Sequence, residues 1–182
     1  MTFTAATLPT SPVTEEQIAY KTLEVLNEIG QVLQDANDIA EGRSYVDVVI
    51  TSAELLALNA TPIELVPAPG ANKYLEFCGA IVQKPAGTAY AAIAEGDDIA
   101  IKYTDDSGLD VGVCEATGFL DQTTAQVRHV LPQTGALAAG TVSDFTPAVN
   151  AALVAHMLTG EITTGDSDLN LRVFYKTHPS VF

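Results

Sequence analysis

The apolar positions change period once along the chain. Between residues 14 and 42 they recur every seven residues: Ile18, Val25, Val32 and Ile39 form one row, Ala19, Leu26, Leu33 and Ala40 the next, and Thr22, Ile29 and Ala36 complete the stripe. That spacing predicts one long amphipathic α-helix with Glu24, Glu28, Gln34, Asp35 and Asp38 around its other side. Thr14 and Gln17 form a capping box, Glu15 and Glu16 put negative charge where the helix dipole favours it, and Gly42 supplies the stop. Only Gly30 interrupts, at a cost of about 1 kcal/mol relative to alanine. At 1.5 Å per residue the helix runs to roughly 40 Å. Burying one large apolar side chain is worth about 1.5–3 kcal/mol, so the stripe needs a partner surface. That surface is either the protein's own domain or a copy or partner, and Ile18, Leu26, Ile29, Leu33 and Ile39 are the candidate contact residues. The acidic flanks oppose parallel pairing of the helix with itself and favour packing on a sheet or a shell.

Residues 44–182 follow a different pattern. Tyr45–Thr51 alternates and is β-branched, and residues 52–59 read as one capped helical turn. Strands are predicted at Pro62–Val66, Lys73–Lys84, Thr88–Ile93, Ile99–Thr104, Val111–Ala116, Thr124–Leu131 and Asn170–Lys176. Ala151–Leu158 fits either a strand or a helix. Short strands at nearly regular spacing, with no helices alternating between them, predict an antiparallel β-sandwich rather than a βαβ sheet. Two domains result: an arm and helix over 1–43, and a sandwich over 44–182. Within the first, residues 1–13 are rich in Thr, Ala and Pro and read as an extended arm, able to pair with a neighbouring strand edge.

Composition narrows the function. The 182 residues carry 8 basic and 23 acidic side chains, a formal charge of −15, which repels nucleic-acid phosphates and anionic membrane surfaces. With 47% hydrophobic residues the chain has the apolar surface to fold, which excludes a disordered acidic tail. No run is long enough for a membrane helix, and the first twelve residues lack the basic and apolar regions of a secretory leader.

Little chemistry is on offer. His129, His156 and His178 are scattered, without metal-ligand spacing; the first two lie in apolar, strand-like runs and the third reads as an exposed tail residue. Cys78 and Cys114 sit far apart in apolar stretches and read as buried, reduced thiols. No nucleophile elbow, phosphate loop or dinucleotide fingerprint occurs. The acidic clusters at 105–110 (DDSGLD) and 165–168 (GDSD) have the residues of a calcium loop but not its length or closing glutamate, and the same residues suit tight turns. The expectation is a protein with no enzymatic activity, cofactor or metal. A cupin-type enzyme needs closely spaced histidines. A carbohydrate-binding module remains an alternative, against which the absence of Trp counts.

Two stretches carry a resemblance: TSAELLALNATPIELVPAPGANKYLEFCGAIVQKPAGTAYA (51–91) and NAALVAHMLTGEITTGDSDLNLRVFYKTHP (150–179). Their layout resembles the cement, or decoration, proteins on the outer capsid of tailed bacteriophages. The resemblance implies a jelly-roll-like sandwich, self-association with a trimer favoured over a dimer, and the major capsid protein as partner. It places the protein on the outer surface of the virion, with a head-fibre base or tail component as the variant reading. The helix over 14–42 has no counterpart in that common core.

Overall fold

Gly42, where the apolar period switches, is also where the chain divides into two compact units, residues 1–41 and Gly42–Phe182. The computed structural model describes residues 21–30, 42–133 and 147–180. In the first unit residues 21–30 are helical (α1), inside the predicted helix, and all ten are exposed. The rest of that helix, including Ile18, Leu33 and Ile39, lies outside the described residues, as does the arm over 1–13.

The second unit is mainly β. Its elements run β1 (Ser44–Ile50), α2 (Ser52–Leu56), β2 (Ile63–Val66), β3 (Lys73–Lys84), β4 (Ile99–Tyr103), β5 (Asp110–Cys114), β6 (Gln126–Val130), β7 (Leu153–Met157) and β8 (Leu169–Pro179). They form two antiparallel four-stranded sheets, ordered β1-β8-β3-β6 (sheet A) and β2-β7-β4-β5 (sheet B). The pairings are nested: β1 with β8, β2 with β7, β3 with β6 and β4 with β5. The chain thus behaves as one long hairpin whose tip is the β4–β5 turn, and that hairpin is folded over into two layers.

Between the layers lies one core. Sheet A contributes Leu75, Phe77, Val82, Leu171 and Val173; sheet B contributes Ile99, Ile101, Leu153 and Met157, all buried. The alternation of strand side chains produces this directly, since residues two apart point to the same face. Tyr103 spans the core from sheet B, its hydroxyl donating to the Leu75 carbonyl in sheet A. A bulge between Phe77 and Gly79 keeps β3 in phase on both halves. Gly79 takes φ +133 there, and a Cβ would stand 3.1 Å from the Val130 carbonyl oxygen, so glycine suits the bulge.

α2 follows from its sequence in the same way. Thr51 is its N-cap, and a reciprocal capping box joins the Thr51 side chain to the Glu54 N–H and the Glu54 carboxylate to the Thr51 N–H. The ambiguous segment 151–158 is the strand β7. One predicted strand is absent: Thr88–Ile93 makes only an isolated bridge, Ala91 with Thr163. Ala92 has φ +62, which breaks an extended run, and Tyr90 is buried in the core where a strand would alternate. β8 extends past Lys176 to Pro179, so His178 belongs to a strand, not to a tail.

Candidate functional site

The two outer faces of the sandwich differ. In sheet B every residue of β4 and β7 is buried, outward-pointing Ala100, Lys102, Val154 and His156 included. The Lys102 ammonium donates to the Asp106 carbonyl and pairs with Asp110 at 3.3 Å, while His156 Nε2 meets the Asn59 carbonyl at 2.9 Å. Sheet A instead presents an open face.

Cross-strand register sets what stands on that face. Asp47 of β1 lies opposite Arg172 of β8, which lies opposite Ile81 of β3 and, beyond it, His129 of β6. The neighbouring row is Val49, Asn170, Gln83 and Val127. The Arg172 guanidinium donates from Nε and Nη2 to the two Asp47 carboxylate oxygens, each at 2.8 Å, and lies over the Tyr45 ring 4.5 Å from its centre. Tyr45 in turn meets Phe174 with ring centres 6.4 Å apart. Further along, Glu76 lies opposite Lys176, and His178 Nε2 contacts the Glu76 carboxylate at 2.7 Å while its ring stacks on Tyr74. A concavity of ≈ 410 Å3 runs across β1, β8 and β3, lined by Asp47, Val49, Ile81, Gln83, Asn170 and Arg172 among others. Val49 and Val127 are 55% and 50% exposed, which makes the face apolar as well as charged.

The residues singled out from sequence are dispersed. His129 is exposed on β6, His156 is buried on the other sheet, and His178 is half-buried at the far end of β8. Cys114 is buried and its thiol is pushed up to about 11 by desolvation. Cys78 corrects the expectation of burial: it is half-buried and points outward from the β3 bulge, burial raising its thiol with Glu76 adding to the effect. Both cysteines are free thiols.

The acidic clusters act as turns. Asp105 accepts from the Ser107 N–H at 2.9 Å and its hydroxyl at 2.7 Å, closing the β4–β5 hairpin. In the second cluster Asp166 accepts from the Thr88 N–H and hydroxyl, Asp168 accepts from the Ser52 N–H, and the Ser167 carbonyl accepts from Tyr90. The two carboxylates and the Ser167 carbonyl thus tie this loop to two separate segments, Thr88–Tyr90 and the start of α2. Among the described residues no three His, Cys, Asp or Glu side chains gather as a metal site requires. No described helix is long and apolar enough to cross a membrane.

Compared with known proteins, the chain matches no family model, no curated protein and no solved structure. The sheet A face therefore has to be read from its own residues. Sequence reasoning missed it, although a signal was there: positions 45, 47, 172, 174 and 176 alternate with the core residues of β1 and β8 and carry aromatic and charged side chains.

Proposed function

We propose that the protein is a virion structural protein: a cement or decoration protein on the outer capsid surface of a tailed bacteriophage, contacting the major capsid protein. The observation that carries this reading is the nested strand order, β1-β8-β3-β6 facing β2-β7-β4-β5. That order supports reading the sandwich as a jelly roll, an architecture used by viral capsid proteins, lectins and cupins. A cupin gathers metal ligands inside the sandwich; here that space is filled by apolar side chains such as Phe77, Ile101 and Met157. An open, partly apolar sheet face is what attachment to a shell calls for. We further propose that the protein self-associates, as a trimer, while doing so.

Particles produced with and without this protein test the reading. Mass spectrometry should find it in purified particles in stoichiometric amount, and added protein should sediment with particles that lack it. Its absence from washed particles, or failure to bind them, overturns the proposal. A carbohydrate-binding module is the second reading, favoured by the concavity in which Asn170 and Gln83 stand opposite each other. A glycan array with a reproducible hit lost on Gln83→Ala would select it.

A further inference from the structure

We infer that the protein self-associates by exchanging strand β8, so that β8 of one copy completes sheet A of the next. This rests on the self-association proposed above and names the element that performs it.

The strand order makes β8 the piece without which the sandwich is incomplete. It stands inside sheet A between β1 and β3, and β1 has no other partner strand there. Its Leu169, Leu171 and Val173 are core residues. A chain whose β8 has left therefore exposes a slot between two unpaired strand edges, floored by the core. Such a slot accepts a strand of matching register and side-chain pattern. A second copy's β8 matches by identity, because each bond and contact it makes within one chain is re-formed between two. The ties of Asp166 to Thr88, Ser167 to Tyr90 and Asp168 to Ser52 move with it and re-form in the same way.

The hinge that permits this lies in residues 158–168, the one connection between β8 and the rest of the sandwich, running from sheet B to sheet A. Packed sheets lie about 10 Å apart, whereas residues 160–164 alone reach about 17 Å when extended. The closed form is also strained here: Gly160 and Thr164 take φ +67 and +54, and Gly165 takes +93. For β-branched Thr164 the left-handed region is an outlier. Strain in a hinge loop invites exchange, since straightening relieves it. Thr159, which donates to Asp97, lies before the hinge and keeps its place. Opening gives up the burial of Ile162 and the bridge between Thr163 and Ala91, and relieves Thr164. All contacts of β8 survive, so mass action decides between closed chain and exchanged assembly. Passing each β8 to the next copy is a head-to-tail relation, which closes into a ring such as the trimer proposed above.

Val49 and Asn170 stand opposite each other across β1 and β8, and both are exposed. A full-length chain carrying Val49→Cys, Asn170→Cys and Cys78→Ser is separated by size, and each fraction is treated with a short bismaleimide. On denaturing electrophoresis the oligomer fraction should show chains linked to one another, the monomer fraction links within single chains. Links confined to single chains in the oligomer overturn the exchange and leave self-association standing; a monomer at every concentration removes both. The hinge gives an independent reading, because a contact between folded faces does not respond to it. Thr164→Gly relieves the left-handed strain and should lower the oligomer-to-monomer ratio about fivefold. Thr164→Pro cannot adopt a positive φ and should raise that ratio. Equal ratios in the unaltered protein and Thr164→Gly overturn the inference, whether or not Thr164→Pro folds.

Discussion

Arg172 and Asp47 face each other across β8 and β1 with two parallel hydrogen bonds of 2.8 Å, the guanidinium also covering Tyr45. This bidentate geometry fixes the planes of both groups and so organises the middle of the open face. The hydrogen bonds from Arg172 hold the Asp47 carboxyl below its ordinary value. A carboxyl lowered in the folded state adds stability that is fully present above its unfolded value and fades as the pH falls through the folded one. Both side chains are largely solvent-exposed, so screening limits the contribution to about 0.5–1 kcal/mol. Asp47→Asn should therefore lower the melting temperature slightly at pH 7, and the difference from the unaltered protein should shrink as the pH falls below the ordinary aspartate value of about 3.9 and the folded carboxyl takes up its proton. Thermal unfolding across pH, in low and high salt, checks this; a difference that grows on acidification contradicts it.

Tyr90 offers a second test, inside the protein. Its hydroxyl donates to the Ser167 carbonyl at 2.6 Å, and its buried ring packs against Gly165, which has φ +93. A Cβ at Gly165 would lie 2.3 Å from the ring. Tyr90→Phe should cost about 1–2 kcal/mol by leaving a buried carbonyl unpaired. Gly165→Ala should cost more than about 2 kcal/mol, because backbone strain and overlap add. Denaturant unfolding of the two variants gives the order, and the reverse order removes this account of the loop.

How much of this was legible beforehand follows the range of the forces involved. The capping box at Thr51 and Glu54, the limits of β3, and the alternation in β1 and β8 are local, and the sequence displays them. Thr88–Ile93 reads as a strand from its composition alone; what prevents one is distant, the pinning of Tyr90 by Ser167 and of Thr88 by Asp166. The open face was hidden for the same reason. Val49 and Val154 are both outward-pointing valines, yet one is exposed and the other buried, a difference that lies in the cover over each sheet's outer face and not in the local sequence of either strand. The cysteines divide likewise, since the one-residue bulge beside Gly79 accompanies an outward Cys78 that an apolar sequence context suggests is buried.

The phenols give a prediction about alkaline pH. Burial raises Tyr90 and Tyr103 to about 12 each. An unfolded tyrosine releases its proton near about pH 10. Between those values the unfolded chain has lost protons that the folded chain keeps, so stability falls as the pH rises from about 10 toward 12. Absorbance titration of the folded protein should show late ionisation from Tyr90 and Tyr103, and Tyr103→Phe should remove one part of that late step. Ionisation of all six tyrosines in a single step near pH 10, with the fold intact, contradicts this.

The acidic loop at 165–168 decides between calcium and hydrogen bonding. Asp166 accepts from both the N–H and the hydroxyl of Thr88, and those bonds, the backbone one first, lower its carboxyl. Asp168 is engaged separately, by the Ser52 N–H. A calcium ion takes six to eight oxygen ligands, so binding here would have to pull these carboxylates away from the loops they hold. Millimolar calcium and a chelator should accordingly leave the melting temperature where it is. Asp166→Ala should lower it, and Thr88→Val should lower it by removing one of the two bonds. Combining the two should cost less than the separate effects added together, because both remove the same contact. A melting temperature that rises with calcium in the unaltered protein but not in Asp166→Ala would reverse the argument and make the loop a cation site.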